Sequence, residues 1–164
     1  MEIKNDQVKK AYDKVYGIIS EFTFRPEMIS EIKVSPTLSR AWGSTSYNPK
    51  QKKYTIKLNK AVLSNEYALE ETILHELIHT LPGCMNHGEL WQSVAKCINT
   101  EYGYTISRVN SSEDLGISFA DNGYKYIIKC AECGKEIGYM RRSYAVKCPE
   151  AFRCTCGGKL KRVR

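Results

Sequence analysis

HELIHTLPGCMNHG, residues 75 to 88, contains all three histidines of this 164-residue chain. His75 and His79 are four positions apart, and Glu76 directly follows the first of them. On an α-helix four residues advance by about 400°, so both imidazoles project from one face, one turn apart. Two imidazoles placed in this way can bind the same metal ion. The stretch therefore predicts a metal site on a helix.

A catalytic zinc site needs a third protein ligand and one position that stays open to water. The helical pattern ends at the Pro-Gly pair 82–83, and the loop after it can bring His87 back toward the first two histidines. The third histidine follows the second by eight positions, which does not fit the metzincin pattern, in which it follows by six. Glu89 or Glu101 would be the third ligand only if His87 pointed elsewhere.

Residues 75–79 fit the HExxH pattern of zinc peptidases. In this pattern the glutamate is not a ligand, so the carboxylate of Glu76 can take a proton from water that zinc activates and pass it to the leaving amine. We therefore predict peptide-bond hydrolysis with Glu76 as the catalytic acid/base. The alternative, a chance HExxH on an ordinary helix, does not account for His87 or for the absence of histidine elsewhere.

The rest of the chain shows both helical and strand-like patterns. Apolar residues at helical spacing predict helices over 6–22, over 66–81 and after His87. Apolar and polar residues alternate over 54–59, which predicts a one-sided strand, and a turn at 48–50 would connect it to an earlier strand near 41–47. Residues 32–34 are a third candidate strand. These patterns indicate an α+β fold.

The chain shows no apolar stretch suited to a signal peptide or long enough to span a bilayer. We therefore expect a cytoplasmic or nucleoid-associated protein, without membrane contact and monomeric. In such a compartment the seven cysteines are expected to be reduced thiols or metal ligands rather than disulfides.

Two closely spaced cysteine pairs lie near the C-terminal end of the sequence. Cys130 and Cys133 form a CxxC pair, Cys154 and Cys156 form a CxC pair, and a glycine follows each pair. Four thiolates around one zinc ion would hold together a segment that has few apolar residues. The arrangement predicts a structural zinc ribbon.

The second cysteine pair leaves the ligand set open. It has one intervening residue where ribbons usually have two, and Cys148 is close enough to replace Cys154 or Cys156. A redox role for the CxxC pair lacks the thioredoxin-like strand–helix unit that it would need. Cys84 and Cys97 are predicted to be unligated thiols.

The net charge of +7 is concentrated in the cysteine-rich segment. Residues 1–121 contain 14 Lys+Arg and 15 Asp+Glu, whereas residues 122–164 contain 11 and 3. Such an excess is typical of a surface that binds a polyanion, most often nucleic acid, and the alternative is a solubilising basic tail. The candidate nucleic-acid contacts are Arg141, Arg142, Lys147, Arg153, Lys159, Lys161 and Arg162.

Aromatic residues interleave with these cations. They can stack on unpaired bases, or they can form the small core of the ribbon. The residues concerned are Tyr124, Tyr126, Tyr139, Tyr144 and Phe152. Residues 103–123, rich in Ser, Asn, Asp and Gly, are expected to connect the basic segment to the rest of the chain.

Four segments resemble the SprT-like zinc metallopeptidase family: HELIH at 75–79, NHGELW at 86–91, YTIKLN at 54–59 and the terminal cysteine pairs. The resemblance implies a zincin-like core over 1–121, in which the HExxH helix packs with a small, mainly antiparallel sheet, and a basic zinc-ribbon domain over 122–164. It also implies one catalytic and one structural Zn²⁺. The implied ligands are His75, His79 and His87 for the first ion and Cys130, Cys133, Cys154 and Cys156 for the second.

The predicted function is that of a zinc-dependent endopeptidase. The family resemblance suggests protein substrates associated with, or crosslinked to, single-stranded or damaged DNA. Strand 54–59 either binds an extended substrate by strand addition or is purely structural. The alternative function is a nucleic-acid-binding zinc-ribbon protein whose core is structural or regulatory. The intact Glu76 favours the enzyme, because a structural metal site needs no general base.

Overall fold

Residues 1–38, 41–108 and 124–164 are described by the computed structural model of the protein. The chain divides into two compact units, Met1–Ile117 and Ser118–Arg164. The boundary falls outside the described residues, as does most of the connector expected over 103–123. The predicted division between residues 121 and 122 therefore stays a prediction.

The first unit combines helices with a four-stranded sheet. Its helices are α1 (Asp6–Ser20), α2 (Glu66–Ile78) and α3 (Glu89–Tyr102), and its strands are β1 (Glu2–Ile3), β2 (Ile29–Ser35), β3 (Gly43–Asn48) and β4 (Lys53–Asn59). Short 3₁₀ helices cover Pro26–Met28 and Lys60–Ser64. The α+β class, the three helices and the β3–β4 hairpin predicted from the sequence are confirmed.

The strand order in this sheet is β1-β2-β4-β3. The β1–β2 and β2–β4 pairs are parallel and only the β3–β4 pair is antiparallel, so the expectation of a mainly antiparallel sheet is wrong. β1 and β2 run in the same direction because α1 forms the crossover between them, which parallel neighbours require. The alternation of apolar residues predicts a strand but not its direction.

Strand β4 lies between β2 and β3 and is hydrogen-bonded on both sides. The suggestion that residues 54–59 bind a substrate by strand addition is therefore wrong, because this strand has no unpaired edge. Among the strands of the described residues, the unpaired edge of the hairpin belongs to β3.

Helix α2 is buried on nearly all sides in the core of the first unit. Its central residues Ile73, Leu74 and Leu77 have no solvent exposure, which agrees with apolar residues spread around its circumference. The side chain of Asn65 caps the helix by accepting the backbone N–H of Ala68 at 3.1 Å. Among the described residues, no helix has both the length and the apolar character that a membrane crossing requires.

Helix α2 ends at Ile78, three residues before the predicted end. His79 is its C-cap, and i→i+3 hydrogen bonds from the N–H groups of Thr80 and Leu81 tighten the chain directly after it. Gly83 then adopts a positive φ of 78°, a conformation that glycine takes without steric cost. The chain reversal therefore begins at the end of α2, before the Pro-Gly pair, and the pair completes it.

The second unit is a small antiparallel sheet with a short helix. It contains β5 (Tyr126–Cys130), β6 (Glu136–Tyr139), α4 (Tyr144–Lys147), a 3₁₀ helix at Pro149–Ala151 and β7 (Leu160–Arg162), with the strand order β6-β5-β7. Its core cluster contains the buried side chains of Ile128, Val146 and Leu160, together with two cysteines. A core this small needs an additional crosslink to be stable.

Candidate metal centres

The three histidines lie together at the C-terminal end of α2. Their ligand atoms are all within 4.8 Å of one another, and the Nε2 atoms of His75 and His87 are 3.0 Å apart. Around a tetrahedral zinc ion, imidazole nitrogens are separated by about 3.3 Å, given Zn–N distances of about 2.0–2.1 Å. The spacing of the three rings therefore fits one ion of this size.

Hydrogen bonds hold the loop that returns His87 to the helix. The Nδ1–H of His79 donates to the backbone carbonyl of Cys84 at 2.9 Å, and the Nε2–H of Gln92 in α3 donates to the carbonyl of His87 at 2.9 Å. The first bond assigns the proton of His79 to Nδ1 and leaves Nε2 free as a ligand. Cys84 thus acts through its backbone, and its thiol lies outside the group of candidate ligands.

The ring of His75 is hydrogen-bonded to the backbone of Ser107. The segment before Ser107 is fixed to α3 by Asn99, whose side chain accepts the N–H of Ile106 at 2.8 Å and donates to its carbonyl at 2.9 Å. Thr105 in the same segment donates to the buried carboxylate of Glu71 at 2.8 Å. These contacts orient His75 from residues 105–107, which the sequence predicts to belong to a connector.

Trp91 of α3 packs against all three histidine rings. Its centroid lies 4.8 Å from that of His75, 5.6 Å from that of His79 and 4.6 Å from that of His87. Trp91 is 1% exposed, so it restricts the positions that the rings can take. The helical pattern placed Trp91 on the apolar side of α3 but gave no sign of this role.

Burial keeps the three imidazoles neutral. It lowers the pKa of His75 to about 3, with further contributions from His79 and His87, and it also lowers the pKa values of those two residues. A neutral imidazole offers a lone pair to a metal without first losing a proton. The three residues are thus a potential metal-binding site, and their donor atoms fit zinc.

Glu76 is 4% exposed and lies against the edge strand β3. The Thr45 hydroxyl is placed to donate to the carboxylate Oε2 at 2.7 Å and to the backbone carbonyl of Glu76 at 3.0 Å. Burial raises the pKa of Glu76 to about 7, and the hydrogen bond from Thr45 opposes this shift. A carboxyl group with such a pKa can both accept and donate a proton near neutral pH.

Gly43 makes room for the Glu76 carboxylate. A Cβ atom at this position would lie 2.4 Å from Glu76 Oε1, closer than any non-bonded contact allows. Sequence reasoning did not identify Gly43 or Thr45, because both are more than thirty residues from Glu76 and belong to no motif.

We predict that Gly43→Ala lowers the free energy of unfolding by about 1–3 kcal/mol, since the added methyl group displaces a buried carboxylate. Gly17→Ala in α1 is the matched control. A Cβ at Gly17 would meet no atom within 4 Å, so this change should raise the free energy of unfolding by about 0.5–1 kcal/mol. Urea unfolding measures both values, and equal stability of Gly43→Ala and wild type would contradict the contact.

Four cysteines lie together in the second unit. The Sγ atoms of Cys130 and Cys156 are 3.6 Å apart, as are those of Cys133 and Cys154, and all four lie within 4.8 Å of one another. Tetrahedral zinc with Zn–S distances of about 2.3 Å separates its sulfurs by about 3.8 Å. The group is therefore a second potential metal-binding site that fits zinc.

The two cysteine pairs form similar turns despite their different spacing. The N–H of Cys130 donates to the carbonyl of Lys135, and the N–H of Cys154 donates to that of Gly158, both at 2.9 Å. The second turn closes over one residue fewer, which accommodates the single residue within the CxC pair. The glycines that follow the pairs, at 134 and 157, have φ values of 75° and 87°, in agreement with the turns expected from the sequence.

The electrostatics of this group favour a bound cation. Backbone N–H groups lower the pKa of Cys130 and bring that of Cys154 to about 6, the first cause in each case being the N–H of the paired cysteine. The N–H of Lys135 lowers the pKa of Cys133, but the other three thiols raise it to about 12 overall. Four thiolates at this spacing need a positive charge between them.

Cys148, the reserve ligand, lies outside the group of four, as does Cys97. We predict that Cys154→Ser removes one metal ion per chain and destabilises the second unit, whereas Cys148→Ser retains the ion. Elemental analysis of the purified variants measures the difference. Loss of the ion in Cys148→Ser but not in Cys154→Ser would show that Cys148 is the ligand.

The candidate nucleic-acid contacts of the second unit are all exposed: Arg141, Arg142, Lys147, Arg153, Lys159, Lys161 and Arg162. Arg153 also donates to the carbonyls of Glu150 and Phe152. Tyr126 and Tyr139 pack against the small core, whereas Tyr144 is 66% and Phe152 is 39% exposed. The aromatic residues thus divide between the two roles considered for them, and binding of nucleic acid stays a prediction.

The chain belongs to the SprT-like family, whose model matches residues 13–111. The matched segment includes α2, α3 and all three histidines, and it confirms the resemblance drawn from the motifs. No curated protein matches the chain.

Proposed function

We propose that this protein is a zinc-dependent endopeptidase of SprT-like type that acts on proteins associated with or crosslinked to DNA. The observation that carries the proposal is the convergence of three neutral imidazoles beside a helix position occupied by a buried carboxyl group, Glu76. A site that only stabilised the fold would need no carboxyl group there. Family membership supports a core of the metallopeptidase type.

In this proposal His75, His79 and His87 hold the catalytic zinc. When bound, zinc would supply Lewis acidity, which makes water a nucleophile near neutral pH and polarises a peptide carbonyl. Glu76 takes the proton from the attacking water and delivers it to the leaving amine. Thr45 holds the carboxylate in place through its hydroxyl, and Gly43 lets the carboxylate approach the edge strand.

The free edge of β3 is the proposed binding position for an extended substrate. It replaces strand 54–59 in this role, because β3 has the unpaired edge and contacts Glu76 through Gly43 and Thr45. A peptide that adds to this edge gains main-chain hydrogen bonds that do not depend on its sequence. Such binding suits an enzyme that cleaves many different proteins.

The second unit is proposed to be a zinc ribbon, held by Cys130, Cys133, Cys154 and Cys156, that brings the enzyme to DNA. Exposed lysines and arginines can neutralise phosphates. The exposed pair Tyr144 and Phe152, whose centroids are 5.9 Å apart, can stack on unpaired bases. These features favour DNA that is at least partly single-stranded.

The second candidate is a nucleic-acid-binding protein whose metal-binding core does not cleave peptide bonds. The exposed cations and aromatic residues of the second unit are the observation that supports it, since they could bind nucleic acid without any cleavage of peptide bonds.

We predict that Glu76→Gln lowers cleavage of casein or histones by at least about 10²-fold, because it removes the acid/base. The metal content should not change, since Glu76 is not among the candidate ligands. Turnover is measured with and without single-stranded DNA, alongside elemental analysis. Equal turnover by wild type and Glu76→Gln would refute hydrolysis through Glu76. DNA binding by a wild-type protein that cleaves nothing would favour the second candidate.

A further inference from the structure

Three of the four strands of the first unit's sheet, β2, β3 and β4, lie in a segment that carries an uneven share of the charge. Residues 29–59 contain six Lys+Arg and one acidic residue, Glu31, whereas the rest of residues 1–121 contains eight Lys+Arg and fourteen Asp+Glu. The sixth of these cations, Arg40, lies outside the described residues, and the five lysines lie on β2, on β4 and in the turn before β4. Residues 1–121 are nearly neutral in total, but their charges are thus unevenly distributed. A local field of this kind attracts anions even where the net charge is small.

The lysines of β4 lie on the sheet face away from the core. Lys53 and Lys57 are exposed, whereas Ile56 and Leu58 are fully buried, as the alternation of side chains along a strand requires. Lys33 of β2 lies opposite Lys57 in the register, and exposed lysines occupy the turn directly before Lys53. We call the patch the lysine face, and its members are Lys33, Lys50, Lys52, Lys53 and Lys57.

Hydroxyl and amide groups complete the lysine face. Ser44 and Asn48 of β3 lie opposite Lys57 and Lys53 in the sheet register, Ser46 lies between them, and all three are exposed. Hydroxyls, amides and lysines are the side-chain groups that proteins use to contact phosphates and sugars. None of the residues named on this face is apolar, whereas a protein partner usually needs an apolar centre in its interface.

The positive charge of the lysine face is poorly compensated within the protein. Lys33 and Lys57 are direct partners in the parallel β2–β4 register, and like charges placed opposite each other are destabilising. Lys33 forms an ion pair with Glu31. Within the part of the chain that the structure describes, the other four lysines of this face form no ion pair. Four cations are therefore available to an external anion.

We propose that the lysine face binds the sugar–phosphate backbone of nucleic acid, as a contact surface additional to the ribbon. Lys53 and Lys57 are four residues apart on one strand, a span of about 13 Å. DNA presents one phosphate per strand for about every 3.4 Å of its axis, so this span faces about four phosphates. The contact reads charge and not sequence, and it does not depend on proteolysis.

The test measures the binding of the full-length, metal-loaded protein to a short fluorescein-labelled DNA duplex, and to one of its strands, over a series of salt concentrations. The variant Lys50→Gln/Lys53→Gln/Lys57→Gln removes three free cations. It leaves Lys52, whose φ is positive, and the paired Lys33 unchanged. The control Lys9→Gln/Lys10→Gln/Lys96→Gln removes the same charge from exposed positions in α1 and α3.

The slope of log K against log salt for the duplex should fall in magnitude by about 3 in the lysine-face variant, since each lost phosphate contact contributes about 0.9. It should change by less than about 1 in the control. Equal changes in the two variants would overturn the proposal, because net charge alone would then explain them. Thermal melts and metal analysis check that both variants remain folded and loaded.

Two further outcomes would also overturn the proposal. One is the absence of DNA binding by wild type. The other is that the lysine-face variant binds labelled polyglutamate more weakly than wild type does but binds DNA equally well. This result would assign the face to an acidic protein. Failure of the proposed proteolysis would leave this binding result unaffected, because Glu76→Gln should bind DNA with the wild-type slope.

Discussion

Three imidazole nitrogens can share one ion only if the chain reverses direction within the seven residues that separate His79 from His87. The reversal depends on the early end of α2 at Ile78, on the positive φ of Gly83 and on the hydrogen bond from His79 to the carbonyl of Cys84. Trp91 then supports the three rings from α3. Because α2 is buried on nearly all sides, its C-terminal end provides a fixed position for the histidines.

The same helix connects the metal centre to the sheet. Glu76 lies one residue from His75, and its carboxylate contacts Gly43 and Thr45 of the edge strand β3. The hairpin that provides this edge also carries, on its opposite face, most of the free lysines of the sheet. One small sheet therefore presents the edge beside Glu76 on one side and the lysine face on the other, and the proposed action on proteins bound to nucleic acid would use both.

The sequence predicted those features that depend on local spacing. The helical period places His75 and His79 together, the Pro-Gly pair indicates the reversal that returns His87, and the glycines after the cysteine pairs indicate two tight turns. Contacts between distant segments left no such pattern. The approach of Gly43 to Glu76 and the bond between Ser107 and His75 depend on packing, and the direction of β2 relative to β4 is not encoded in their alternation. The spacing of the cysteines also allowed Cys148 to replace one member of the CxC pair as a ligand. Only the positions of the sulfur atoms in the structure distinguish the two possibilities.

Crystal diffraction recorded at the zinc absorption edge tests whether the three histidines share one ion. We expect an anomalous peak about 2.0–2.1 Å from one nitrogen of each histidine ring, with no protein atom at the fourth corner of the tetrahedron. A second peak should lie within the cysteine group. No peak among the histidines, or a fourth protein ligand that closes the site, would show that the histidines do not form an open metal site.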